Sequence, residues 1–259
     1  MPAELAPNAP LQRDLIAGLD KGLQVIEAFN QERSRLTISE VAERTGLSRA
    51  AARRYLITLA HLGYARHDDK VFSLTPKVLR LGQSYLHSAR LPRIVQPQLY
   101  RLAYSLGEAA SAGILEEDQL VCVAAVSAGK VVSATLQPGT RVSAFWTANG
   151  RVMLASLPPA QLDDYLARLS VEPLTEYTIV NKDRLAVEID RTRAQGYALV
   201  NQELELGLRT IAVPLRNFRG ETVAAMNVSL QAVRMEFDEI VERCLPALLK
   251  VQVELTALL

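Results

Sequence analysis

The chain is short of the groups that enzymes use. Its 259 residues include three histidines, His61, His67 and His87, all before position 90. Residues 91–259 therefore offer no imidazole base to a serine or cysteine nucleophile. The two cysteines, Cys122 and Cys244, stand in apolar surroundings (VCVAAV and ERCLPALL). They read as buried thiols rather than a disulfide framework, which suits a reducing compartment. No CxxC pair or HExxH supplies zinc ligands, and no GxxxxGK[ST] or GxGxxG loop cradles a phosphate. No cofactor and no metal site is expected. Glu203 and Glu205 form a carboxylate pair of the kind that does acid–base work. Without partner groups they read as solvated or bridging charges.

Long apolar runs are missing too. No stretch approaches the ~18 uncharged apolar residues of a membrane helix. The Pro- and Ala-rich first ten residues lack the basic and apolar segments of a secretory signal. A cytoplasmic protein without membrane contact is expected, with residues 1–14 as a disordered leader. The net charge is only +1, but it is unevenly spread. Residues 1–90 carry 13 Lys+Arg against 9 Asp+Glu, and the remainder 16 against 19. A basic front and a mildly acidic back suit a nucleic-acid module joined to a domain that need not touch nucleic acid.

What is present centres on residues 37–74. Thr37 with Glu40 three residues on is a capping box. Ile38, Val41 and Ala42 mark one apolar face, Gly46 suits a left-handed helix end, and Ser48 can cap the next helix. In that helix Ala52, Tyr55, Leu56, Leu59, Leu62 and Gly63 form a core stripe. Arg49, Ala50, Arg53, Arg54 and Ile57 fall mostly on the other side. Guanidinium forks among small alanines make a face that can approach a duplex, with bidentate donors for phosphate or guanine edges. Two short strands around Asp68-Asp69-Lys70 give a wing. The pattern predicts a winged helix-turn-helix over 15–75, whose second helix enters the major groove of double-stranded DNA through Ser48, Arg49, Ala50, Arg53 and Arg54. A helix over 19–29, with Leu19, Leu23, Ile26 and Phe29 on one face, would support it.

Pro76 opens a linker helix over 76–91, ended by Leu91-Pro92. Its apolar positions face two ways, which leaves one side for its own domain or for a second subunit. Residues 92–259 read as one α+β domain. Its helices are placed at 94–106, 151–156, 159–169, 182–195 and 237–258, the last with a kink at Pro246. Its strands are placed at 109–115, 120–126, 131–136, 142–145, 197–200, 209–216 and 222–230, with antiparallel spacing.

Four segments, LSRAAARRYLITLAHLGY, SLTPKVLRLG, TANGRVMLASL and GYALVNQELELGLRTIAVPLRNFRGETVAAMNVSL, resemble the IclR family of bacterial transcription regulators in the family's order. The likeness spans about 19–255 and is greatest to the branch that regulates protocatechuate, 4-hydroxybenzoate and β-ketoadipate catabolism. It implies a winged helix-turn-helix, a dimerising linker helix and a GAF-like effector-binding domain with an antiparallel sheet and flanking helices. It further implies homodimers that pair into tetramers, and an operator released or bound in response to a small organic, aromatic-pathway acid. The chain departs from the commonest family form at Asn149-Gly150-Arg151-Val152, where Ala-Gly-Lys-Ala is frequent, and at Val200-Asn201-Gln202, where acidic residues are common.

Carried over position by position, the family's effector site falls on Val142, Ala148, Asn149, Val200, Thr210, Asn227 and Ser229. Gly150 and the helix start after it would offer backbone N–H groups to a carboxylate. Asn227 and Ser229 have a second argument. Strand alternation puts them with Val223 and Ala225 on one face, and polar groups on a buried face need partners. Trp146 would stack on an aromatic ring. The competing readings are a small-molecule enzyme fused to a DNA-binding module, a redox or metal sensor, and a constitutive DNA binder.

Overall fold

The computed structural model describes residues 14–30, 32–127 and 137–259. The expected strand at 131–136 and most of the expected leader lie outside them. The chain divides into two compact units, residues 1–85 and 86–259.

In the first unit, helix α1 (Ala17–Glu27) is followed by strand β1 (Leu36–Thr37), α2 (Ile38–Thr45), α3 (Arg49–His61), β2 (Ala65–Asp68) and β3 (Val71–Leu74). The local chemistry sets these boundaries. Thr37 Oγ1 accepts from the Glu40 amide, while the Glu40 carboxylate accepts from Thr37 N at 2.8 Å. Gly46 ends α2 at φ +67°, and Ser48 Oγ caps α3 by accepting from Ala51 N. The wing is a three-stranded antiparallel sheet, because β3 pairs with β1 as well as with β2. Val25, Leu36, Val41, Ala52, Leu56 and Phe72 meet in the core.

Two apolar stripes differ from expectation. Leu62 is exposed, because α3 has ended at His61 and the chain turns through Gly63. In α1, Val25 and Ala28 fill the core and Ile26 and Phe29 pack beside it, whereas Leu19 and Leu23 face outward. The expected stripe is rotated because α2 and α3 take the neighbouring face.

A 3-10 turn at Pro76–Val78 leads into α4 (Leu79–Ser88), which buries no residue and exposes Leu79, Leu81 and Tyr85. The helix breaks at Ala89, not at Leu91-Pro92: Ala89 is extended and α5 (Arg90–Leu106) begins immediately. Pro92 sits in the first turn of α5, where its missing N–H has no intrahelical partner to lose.

The second unit is a six-stranded antiparallel sheet between two helical layers. Its strands are β4 (Ala109–Glu116), β5 (Gln119–Val126), β6 (Arg141–Ser143), β7 (Ala198–Asn201), β8 (Leu208–Arg216) and β9 (Thr222–Gln231), in the order β6-β5-β4-β9-β8-β7. A 3-10 turn at Ala144–Trp146, then α6 (Ala148–Ala155), α7 (Pro159–Arg168) and α8 (Lys182–Gln195), lie between β6 and β7. Helix α9 (Phe237–Thr256) closes the chain and continues through Pro246. Along β9, Ala224, Met226, Val228 and Leu230 pack into one core with residues of α5 and α9, including Leu99, Cys244 and Leu248. Ala225, next to Asn227 and Ser229 in the alternation, joins Ala148 and Val152 of α6 on the opposite face. No helix among the described residues is long and apolar enough to cross a membrane.

Candidate functional site

Two surfaces collect the residues of interest. The first is on α3. Ser48, Arg49, Ala50, Arg53 and Arg54 are all exposed, while Ala52, Leu56 and Leu59 of the same helix are buried. The guanidinium groups are thus carried on an outward face by a rod whose other side is fixed in the core. Such a face can present forked donors to a duplex.

The second is a pocket in the other unit, between the sheet and the start of α6; its open space of about 560 Å³ includes solvent at the mouth. Strand register builds its floor. Ala109 pairs with Ser229, Ser229 with Thr210, and Thr210 with Val200, so one cross-strand row contributes four lining residues. Ser111 and Asn227 pair in the next row. Trp146, Thr147 and Asn149 form one wall, and Leu120, Leu204 and Leu208 supply further apolar surface. Among the described residues the lining contains no charged side chain. Asn149, Val200, Thr210, Asn227 and Ser229 therefore come together as expected.

Val142 and Ala148 do not line the cavity. Val142 packs at the edge of the cluster around Leu120, and Ala148 lies inside it, under the helix start rather than on the cavity wall. The sequence does not single out Ser111, Leu204 and Leu208, which also line the cavity. Ser111 is the most consequential, because its hydroxyl donates to Asn227 Oδ1 at 2.6 Å. Only the β4–β9 register reveals that pairing.

The role expected of Gly150 also changes. Its N–H donates to Thr147 Oγ1 at 3.0 Å, so it is already committed. Helix α6 starts at Ala148 and not near Arg151, because Thr147 caps it. The amides of Ala148 and Asn149 at that end have no intrahelical carbonyl to bond, and the helix dipole favours an anion there. Gly150 is instead required by packing: a Cβ on it would stand 1.9 Å from the Ala144 carbonyl oxygen.

Beside the cavity, Arg151 and Glu203 form an ion pair at 2.6 Å with their side chains 2% and 7% exposed. Arg151 Nε also donates to the Phe145 carbonyl, and the Glu203 carboxylate accepts from Ile179 N. Thr178 Oγ1 donates to the Glu203 carbonyl, and Thr175 Oγ1 to that of Gln202. Glu203 is thus a bridging charge that ties the loop carrying Leu204 to α6. Burial pushes the Cys122 thiol up to about 11, despite a backbone contact at Ala124 that opposes the shift. Cys244 is raised by burial and by the nearby Glu108 carboxylate. Neither has the depressed pKa of a reactive thiolate.

An outward cationic helix in a winged helix-turn-helix, in one chain with a second unit that holds a pocket, has the make-up of a DNA-binding regulator. The chain belongs to the IclR family of bacterial transcriptional regulators: residues 18–69 match the IclR helix-turn-helix domain and residues 83–255 the bacterial transcriptional regulator IclR C-terminal family. It is 41% identical over 237 residues to the Pca regulon regulatory protein of Pseudomonas putida, covering 91% of this chain and 81% of that one. It is 39% identical over 240 residues to the p-hydroxybenzoate hydroxylase transcriptional activator of Acinetobacter baylyi, covering 91% and 89%. Among solved structures it is similar to a double mutant of the PobR inducer-binding domain from Acinetobacter in complex with 3-hydroxybenzoic acid. There the TM-score is 0.63 and the identity 30%, over 66% of this chain and 100% of that one.

Proposed function

We propose that the protein is a cytoplasmic regulator of aromatic-acid catabolism that binds operator DNA through α3 and a monocyclic aromatic acid in the cavity beneath α6. In this reading residues 15–75 read DNA, 76–91 couple the halves and 92–259 sense the acid. The observation that carries it is the cavity itself, with apolar walls, hydroxyl and amide groups at one end and no cation among its described lining residues. Leu120, Leu204, Leu208 and Trp146 suit an aromatic ring. A single carboxylate is stabilised at the helix start, where the Asn149 amide is free of an intrahelical partner. This favours 4-hydroxybenzoate and protocatechuate over β-ketoadipate, whose second carboxylate would be buried without compensation. The names of the relatives point to the same catabolic pathway.

Homodimers, or dimers of dimers, form through the apolar residues that α1 and α4 leave exposed, Leu19, Leu23, Leu79, Leu81 and Tyr85. The rival reading, an enzyme domain on a DNA-binding module, lacks a nucleophile–base pair in the cavity.

Two measurements test the proposal. In a thermal-shift screen of protocatechuate, 4-hydroxybenzoate, β-ketoadipate and pyruvate, the effector at about 100 times its dissociation constant raises stability by about 2.7 kcal/mol. A flat response to every acid removes the sensor half. In a gel-shift assay, Arg53→Ala or Arg54→Ala each weakens operator binding by about 1–3 kcal/mol while the oligomer is retained, and wild-type affinity falls steeply with salt. Undiminished binding by both variants removes the recognition-helix half.

A further inference from the structure

The polar end of the cavity is a chain of four side chains drawn from three elements. Asn227 on β9 is its hub. Its Oδ1 accepts from Ser111 Oγ at 2.6 Å and from Asn149 Nδ2 at 3.2 Å, and its Nδ2 donates to Ser229 Oγ at 3.0 Å. Both polar atoms of the Asn227 side chain therefore have protein partners. In Asn149 only Nδ2 does. With Nδ2 turned toward Asn227, its Oδ1 points away and meets no donor of the protein. Asn149 is 2% exposed and lines the cavity. A buried carbonyl acceptor without a donor is costly, and the cavity is where the missing donor can arrive.

From this we infer that Asn149 determines which aromatic acids are accepted: its Oδ1 takes a hydrogen bond from a hydroxyl on the ring of the bound acid. The inference rests on the proposal that the cavity holds an aromatic acid, and adds the ring substituent it selects. The donor must be neutral. An ammonium group would enter a lining with no carboxylate to balance it, whereas a phenolic hydroxyl supplies one proton and little further desolvation. Ser111 and Ser229 stand behind Asn227 as positioning residues, holding its amide so that Asn149 keeps its oxygen toward the ligand. The four groups share one polarity, because reversing Asn227 would reverse Asn149 and present Nδ2 instead. That opposite setting would favour a ring substituent that only accepts.

The ligand series is chosen to separate these cases. Calorimetric affinities of the full-length protein are measured for 3- and 4-hydroxybenzoate, the matching fluorobenzoates, the matching aminobenzoates and benzoate. Fluorine is close to hydroxyl in size but cannot donate, whereas the neutral aromatic amine can. The better hydroxybenzoate is expected to bind about 10- to 100-fold more tightly than its fluoro analogue, with its amino analogue nearer the hydroxy compound. In Asn149→Ala the hydroxy-to-fluoro ratio falls to within about threefold. Asn149→Leu, which is close in size and also lacks an acceptor, replaces it if the alanine variant does not fold. Equal binding of hydroxy and fluoro compounds by the wild type, tighter binding of the fluoro compound, or a ratio that survives loss of Asn149 overturns the assignment. If the benzoates bind but without discrimination, only Asn149's role falls. If no benzoate binds at all, the aromatic-acid reading falls and takes this inference with it.

Discussion

Replacing Glu203 with alanine is expected to destabilise the effector-binding domain by about 3–5 kcal/mol, because it leaves the Arg151 guanidinium buried without its counter-charge. The pair is almost wholly shielded, at 2% and 7% side-chain exposure, so solvent cannot take over. The variant also deprives Ile179 N of its acceptor. Arg151→Met should be comparably damaging, since it strands the carboxylate and frees the Phe145 carbonyl. The double variant Arg151→Met/Glu203→Ala removes both buried charges. Its loss should be clearly smaller than the sum of the two single losses, because residues in one network do not act additively. Urea unfolding of the four proteins provides the cycle. Additive losses would mean that the ion pair contributes nothing as a pair.

Gly150→Ala should be comparably severe for a different reason. The added Cβ would lie 1.9 Å from the Ala144 carbonyl oxygen and 2.5 and 2.6 Å from its carbonyl carbon and Cα. All three are backbone atoms, so no side-chain rotation relieves the contact. Either α6 or the 3-10 turn before it must move. Overpacking of this kind costs about 3 kcal/mol or more. For a domain of this size the melting temperature then falls by roughly 6–12 °C. Thr147 and Asn149, which precede the glycine, form part of the cavity wall, so the effector's stabilising shift should disappear as well. A melting curve with and without effector reads both effects. An unchanged melting temperature would show that the turn and α6 do not approach as described.

Much of the fold could be read from the sequence where the cause is local. A cap needs only residues three positions apart, and so Thr37–Glu40, Ser48 and Gly46 were all legible. The outward set on α3 followed from helical spacing alone, as did the alternation that puts Asn227 and Ser229 on one face of β9. What was not legible depends on distant partners. The tilt of the α1 stripe from Leu19 and Leu23 to Val25 and Ala28 is decided by how α2 and α3 pack. The third strand of the wing, at Leu36–Thr37, is too short to carry a pattern. Ser111 enters the cavity only because β4 pairs with β9 in one particular register. Arg151 and Glu203 lie 52 positions apart. Gly150 was correctly singled out but assigned to ligand binding, when a close backbone approach is what demands it.

All eight residues of α6, Ala148–Ala155, are buried. Such a rod has no slack side, and close-packed neighbours leave it few ways to yield by bending. A displacement of Asn149 would therefore be carried to Arg151, two residues further along the same rod, and through the ion pair to the loop that holds Glu203.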